Sequence, residues 1–254
     1  MITPEIFTHG RRLRRLVKRR PFVLALFSFR YDAHLVPDLV ENIRPMVDGF
    51  VSFDDRSATS LVTNEITRRL QLLDAARRLR AHWVLLVDPD ERIERGGAER
   101  IRDLTAEIRP VVWGFRVREL YTPDSFRVDG PWERMIQYRL FPLFEGQTFP
   151  DKPLHSAFYP RGRQYERLRS GLNLYHLKML TRERRTARRD LYKHLDPTAA
   201  YQRIGYDHLA DDDGAVLKKI RRGRGFLPRR TDYEGLWMPV AGDSDADGAA
   251  AKGS

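Results

Sequence analysis

The sequence predicts an α/β chain built on a single mixed, mostly parallel sheet flanked by helices. Three observations predict it. Short apolar segments alternate with amphipathic ones from Phe22 to Val87, the pattern of βαβ units. Two of the apolar segments run directly into acids, Asp54-Asp55 and Asp88-Pro89-Asp90-Glu91, where open parallel sheets bind ligands. After Arg109 the alternation gives way to strand-like segments separated by a turn-rich stretch.

Taken in order, Phe22 to Phe27 is a continuous apolar run, as expected of a strand buried on both faces. Leu35, Val36, Leu39, Val40 and Ile43 form a helical stripe that stops before Pro45. Gly49 to Phe53 reads as the second strand. Asn64 to Arg80 reads as an amphipathic helix, with Ile66, Leu70, Leu73 and Leu79 on one side and mostly Arg on the other. Trp83 to Val87 is the third strand. Val111 to Val117 and Met135 to Phe144 read as strands on either side of Pro123, Asp129, Gly130 and Pro131. Leu172 to Leu177 is a further strand, and Thr181 to His194 is a cationic helix that ends before Asp196-Pro197. Ala199 to about Ile220 reads as a last helical stretch broken by an acidic loop at 211–214. The expected organisation is a basic extension (1–20), a main domain (21–197) with halves at 21–109 and 110–197, a C-terminal helical segment (198–240) and an unstructured tail (241–254).

Composition narrows the partners. The 254 residues suffice for a sizeable core. Lys and Arg number 46 against 35 Asp and Glu, a net charge of +11, which favours nucleic acid, a membrane surface or a phosphorylated small molecule. With 0 Cys, disulfide scaffolds, zinc–thiolate sites, iron–sulfur clusters and cysteine nucleophiles are excluded. The longest apolar run, Pro21 to Phe29, is shorter than the roughly 20 residues of a membrane helix. The basic run Arg11 to Arg20 before it imitates a signal peptide, but no small-residue cleavage site follows, and the run meets Arg30, Tyr31 and Asp32. A cytoplasmic protein is therefore expected. Its basic arm, with Ile6, Phe7, Leu13, Leu16 and Val17 at loosely helical spacing, is either a solvated helix or a peripheral contact with the inner face of an anionic membrane.

The acids carry the chemistry. Alternate strand residues face one side, so Asp88 and Asp90 are expected to point into one cleft. Paired carboxylates suit a hard divalent cation, Mn²⁺ or Mg²⁺, that keeps positions for phosphate oxygens. As turn residues, the same acids would simply be solvated.

At this point the text resembles a family. Phe53-Asp-Asp-Arg-Ser-Ala-Thr-Ser60 looks like the acidic turn of family 2 glycosyltransferases, and Leu72 to Glu91 looks like their helix and strand leading to the metal-binding Asp-x-Asp motif. The resemblance covers Phe22 to Val117 well and continues loosely to Pro197. It implies the nucleotide-sugar-binding GT-A fold, with a nucleotide-binding half and an acceptor half. It also implies an inverting transfer from a nucleotide-diphosphate sugar to a glycan or glycolipid acceptor, as in cell-envelope polysaccharide synthesis. By position, Asp54 or Asp55 would meet the base or ribose, Asp88 the ribose or a metal-bound water, and Asp90 the cation, with Glu91 behind it. His176 would complete the metal site, although a lone His in the apolar strand Leu172 to Leu177 also fits a core role. Lys178 and Arg182 would face the diphosphate. Arg182, Arg185 and Arg189 share a helix face that is otherwise read as solvated.

The sequence departs from the family at Thr59, where members often carry another Asp, and in lacking a Glu-Asp pair in the second half. The base that takes the acceptor proton is therefore assigned first to Asp151 and His155, then to Glu133 and Asp129. Trp132 and Tyr159 fit either an acceptor sugar or the core. Two other classes compete. A nucleic-acid-binding protein accounts for the charge but lacks a recognisable binding motif. A nucleotidyltransferase would use the same acids but release pyrophosphate.

Overall fold

Val23, Ala25 and Phe27 leave one face of the first long strand, and Leu24 and Leu26 leave the other; all five are buried. The sheet is consequently covered on both sides. The computed structural model describes residues 5–7, 20–56, 65–150, 158–230 and 233. Its strands are β1 (Glu5–Phe7), β2 (Val23–Phe29), β3 (Gly49–Asp54), β4 (Trp83–Leu86), β5 (Glu91–Ile93), β6 (Val111–Thr122), β7 (Ser125–Arg127), β8 (Ile136–Pro142), β9 (Glu166–His176) and β10 (Leu217–Lys219). The helices are α1 (Val36–Ile43), α2 (Glu65–Arg78), α3 (Gly97–Thr105) and α4 (Arg182–Leu195).

The strands form a mixed, mostly open sheet in the order β1-β3-β2-β4-β8-β6-β7-β10. β3, β2 and β4 are parallel, and β8 enters antiparallel between β4 and β6, joining the two halves of the chain. β9 runs parallel to β6 and antiparallel to β5. The apolar stripes of α1 (Leu39, Ile43) and α3 (Ile101, Leu104) pack against Val23, Ala25, Phe27 and Phe115. On the other face, Leu72, Leu73, Ala75 and Ala76 of α2 pack against Leu24, Leu26, Val84 and Phe141. Burying each such Leu, Val or Phe contributes about 1.5–3 kcal/mol. The chain is therefore an α/β protein with helices on both sides of its sheet.

One polar residue ties these layers together. Asn42 donates to Ile93 O (3.0 Å) and Leu227 O (2.7 Å) and accepts from Ile93 N (2.7 Å), so α1 fixes β5 and a late chain segment at once.

The sequence reading is corrected at both ends. Residues 5–7 form an edge strand antiparallel to β3, not part of a helix. Residues 198–230 contain a short 3-10 turn at Asp207–Leu209 and β10, and no α-helix. The Asp196 carboxylate accepts from Ala200 N (2.8 Å), Tyr201 N (3.0 Å) and the Tyr206 hydroxyl (2.7 Å), and this bends the chain away from a helical path. Ala199 and Gly205, both at positive φ, complete the turn. β5, α3 and β7 were not expected from the sequence, and β6 and β9 extend beyond the segments expected. Among the described residues no helix is long and apolar enough to cross a membrane.

Candidate active site

The C-terminal ends of β2, β3 and β4 open onto a cleft of about 570 Å³, closed on its far side by β6, β8, β9 and α4. Asp55, Asp88, Asp90, His176 and Lys178 line it, as do Asp32, Glu119, Arg139 and Arg188. Strand pairing explains why these groups meet. Glu119 on β6 and Glu91 on β5 are both the register partners of His176, the last residue of β9. The next residue, Leu177, donates its N–H to Asp90 O (2.8 Å), which fixes the acidic turn against the end of β9.

His176 sits between two carboxylates. Its Nε2 is 3.1 Å from Asp90 Oδ2, and its Nδ1 is 3.1 Å from Glu119 Oε1, which also lies 3.3 Å from Lys178 Nζ. Burial disfavours a charged imidazole, but Asp90 and Glu119 outweigh it and raise the His176 pKa to about 9. The same contacts overcome burial at the acids. His176 holds the Asp90 carboxyl far below the usual range, and His176 with Lys178 pulls Glu119 down to about 2.

Asp88 takes a different partner. Because β8 lies antiparallel beside β4, Arg139 reaches across and its Nη2 donates to Asp88 Oδ2 (2.8 Å) and to the buried Glu91 Oε1. Burial pushes Asp88 up, and Arg139, then Arg69, brings it back below its ordinary value. Asp88 N donates in turn to Glu91 Oε2 (2.9 Å). Beneath the turn, the fully buried Arg92 donates to Pro89 O (2.6 Å), Glu91 O (2.7 Å) and Leu35 O (3.2 Å). It fastens the acidic turn to the segment that follows Asp32. Burial, then the charge of Asp90, raises Asp32 to about 7.

The expected site residues separate as follows. Asp88, Asp90, His176 and Lys178 come together in the cleft. Asp55 joins them, buried and paired with Arg68 on α2 at 2.7 Å. Asp54 turns instead to Arg56 (Nε to Oδ1 2.9 Å) and does not line the cleft. Arg182 is the exposed first residue of α4 and also lies outside; burial of Arg184, Arg185 and Leu191 sets the helix phase so that Arg188 faces the cleft. Asp151 and His155, like Thr59, lie outside the described residues. Asp129 pairs with Arg127 (Oδ2 to Nη2 2.8 Å), and Glu133 is exposed at a different cavity, so neither reaches the cleft. Tyr159 packs on Tyr138 with ring centroids 5.0 Å apart, a core role. Trp132 is buried in the cleft wall beside His208.

Glu119, Asp32, Arg92 and Arg139 were missed, and Arg188, a candidate on the cationic helix, was set behind Lys178 and Arg182. Glu119 left a signal: extending β6 by two residues puts it beside His176 in the parallel register.

A divalent cation can be tested against this geometry. Ligands in adjacent octahedral positions at about 2.1 Å from a cation stand about 3.0 Å apart. Asp90 Oδ2 and His176 Nε2 are 3.1 Å apart. Glu119 on Nδ1 supplies the carboxylate partner that orients a metal-ligating His. Among the described residues no group of three or more His, Asp and Glu forms a ready cage. The fit is thus to a cation with two protein donors, the rest of its shell left to water and ligand oxygens.

No protein-family model matches the chain, and no curated protein matches it.

Proposed function

We propose that the chain is a metal-dependent, inverting glycosyltransferase of the GT-A type that moves a sugar from a nucleotide-diphosphate donor to a glycan or glycolipid acceptor. The observation that carries the reading is the Asp90–His176–Glu119 line at the mouth of the parallel strands, with Asp88 one alternate residue away and cations opposite. Ligands bind at this end of open α/β sheets, and a partly exposed acid pair facing Lys178 and Arg188 suits a diphosphate bridged to a cation better than a bare anion.

In this reading Asp90 and His176 would hold Mn²⁺ or Mg²⁺, the cation taking the place of the Nε2 proton that His176 otherwise shares with Asp90, while Glu119 keeps the ring oriented by accepting from Nδ1. When bound, the cation supplies positive charge for the departing nucleoside diphosphate. Lys178 and Arg188 add fixed positive charge on the side of α4. Asp55 and Asp88, the latter steadied by Arg139, contact the base and ribose. Arg92 holds the turn so that these groups keep their spacing. A carboxylate or His must take the acceptor proton, and Asp151 and His155 are the proposed base. Contact of the basic N-terminal residues with a membrane-bound acceptor belongs to the same proposal.

Product analysis tests it. The protein is incubated with UDP-, GDP- and dTDP-sugars, with Mn²⁺ and with EDTA. Release of a nucleoside diphosphate from one donor, only with metal, supports the reading. In a parallel incubation with a nucleoside triphosphate and a sugar 1-phosphate, release of pyrophosphate with formation of the nucleotide sugar would instead mark a nucleotidyltransferase. No turnover and no binding of any donor would overturn both.

A further inference from the structure

Alternation along β6 sends Glu119 to the acidic cleft and its neighbours Arg116 and Arg118 to the opposite side. There a second cavity of about 600 Å³ opens, and it shares only Ile136 with the first. We infer that this cavity, walled by β6, β9 and the segment from Lys218 to Arg224, is a separate ligand site for a diphosphate or doubly phosphorylated group.

The backbone builds the hollow. The β6–β9 register shifts between Gly114 and Arg116, and Gly171 in β9 stands at φ +82°, so Arg169 and Asn173 flank an irregular step in the strand. Gly114 is required at its position, since a Cβ there would lie 2.6 Å from Ile136 Cγ2. β10 pairs antiparallel with β7 and carries Lys218 and Lys219 over the opening. Arg224 closes the end, bound to Glu94 and donating to Gly171 O at 3.2 Å. The buried Phe126, Leu172 and Tyr175 form an apolar floor.

The charge in this hollow is unbalanced. Eight Lys and Arg side chains line it against one carboxylate, the exposed Glu133. Several basic residues elsewhere are paired: Arg102 with Asp48, Arg127 with Asp129, Arg185 with Asp212 and Arg230 with Asp38. Among the described residues, Arg169, Lys218 and Arg221 make no ion pair. Arg118 is half-buried, stacked on Phe126 at 4.4 Å and donating to Asn173 Oδ1 at 3.0 Å. Burial, then the charge of Arg116, pulls its guanidinium down to about 10, outweighing the opposite pull of Glu94. A single phosphate would meet only part of this charge. A linear nucleic acid would call for a stripe, whereas these cations converge on a walled hollow of small-ligand size. The inference stands independently of the glycosyltransferase reading.

The experiment is calorimetric titration of the full chain with inorganic pyrophosphate and with inorganic phosphate, both in EDTA, so that no cation draws the ligand into the acidic cleft. Pyrophosphate is expected to bind at least about tenfold more tightly than phosphate. The Lys218→Gln/Arg221→Gln double variant, altered at two exposed positions, should lose about tenfold or more while keeping its unliganded Tm; Arg169→Gln should weaken binding similarly. Sedimentation with phosphatidylcholine vesicles, with and without phosphatidic acid, separates the sources. Capture by the anionic vesicles that pyrophosphate reverses identifies a lipid headgroup, and pyrophosphate binding without capture identifies a soluble ligand. Absent pyrophosphate binding, affinity unchanged in both variants, or tight binding of single-stranded RNA that pyrophosphate does not displace would each overturn the inference.

Discussion

Replacing Arg139 by Met removes the guanidinium that is ion-paired with both Asp88 and Glu91 while nearly preserving side-chain length. Arg139 is enclosed, its Nη2 is 2.8 Å from Asp88 Oδ2, and its other partner, Glu91, is fully buried. Removing one member of a buried ion pair costs about 3–5 kcal/mol, because the remaining charge has no partner. Glu91 can limit that cost by taking up a proton. For a carboxyl of ordinary pKa near 4.3, protonation at about pH 7.5 costs about 4 kcal/mol, and at pH 5 about 1 kcal/mol. Asp88, whose side chain is 40% exposed, adds little. Burial already holds the folded-state pKa of Glu91 above its unfolded value against the pull of Arg139, and removing Arg139 raises it further, so the added loss is full at neutral pH and fades as pH falls toward 4. The expected loss is therefore about 3–4 kcal/mol at pH 7.5, or roughly 10 °C in Tm for a chain of this length, and about 1 kcal/mol at pH 5. Urea unfolding followed by the fluorescence of the buried Trp83, Trp113 and Trp132 measures it at both pH values. A loss below about 1 kcal/mol at pH 7.5, or one equal at both pH values, would refute the reasoning.

Three further outcomes follow from the same geometry. On the proposed metal site, Glu119→Gln keeps the size of the group but removes the charge beside His176, and should weaken Mn²⁺ binding about 10–100-fold while the protein stays folded, read by titration in the presence of nucleotide. Asn42→Ala leaves Ile93 N and two carbonyls without their partner and should cost about 1–3 kcal/mol in urea unfolding. Asp32→Asn should stabilise the metal-free protein at about pH 8. Burial and Asp90 raise the Asp32 pKa to about 7, so the native protein loses stability as pH climbs from about 4 to 7, and an Asn does not. Allowing for partial exposure, the gain is about 1–2 kcal/mol, vanishing below pH 4, and a Tm profile against pH in EDTA reads it.

The parallel core was legible because its strands are buried on both faces: Val23 to Phe27, Gly49 to Phe53 and Trp83 to Val87 carry unbroken apolar runs that local sequence displays directly. The acids at their ends were legible for the same reason, since a strand that stops at a charge marks the sheet's rim. β5 was not, because Glu91 and Arg92 are buried only by virtue of Arg139, Pro89 O and Leu35 O, groups supplied by tertiary structure. Arg188 was passed over in favour of Arg182 because helical spacing defines faces but not which one packs; burial of Arg184 and Arg185 decides that. The last segment read as helical from its Ala, Leu and charged residues, and one carboxylate, Asp196, redirected it.

The most direct measurement of the central claim is calorimetric titration of nucleoside diphosphates into the native chain and Asp90→Ala, each with Mn²⁺ and with EDTA. The account expects one nucleoside diphosphate to bind the native chain with Mn²⁺, to bind at least about tenfold more weakly in EDTA, and to show no Mn²⁺ dependence in the folded variant. Equal affinity of native and variant chains in Mn²⁺ would contradict it.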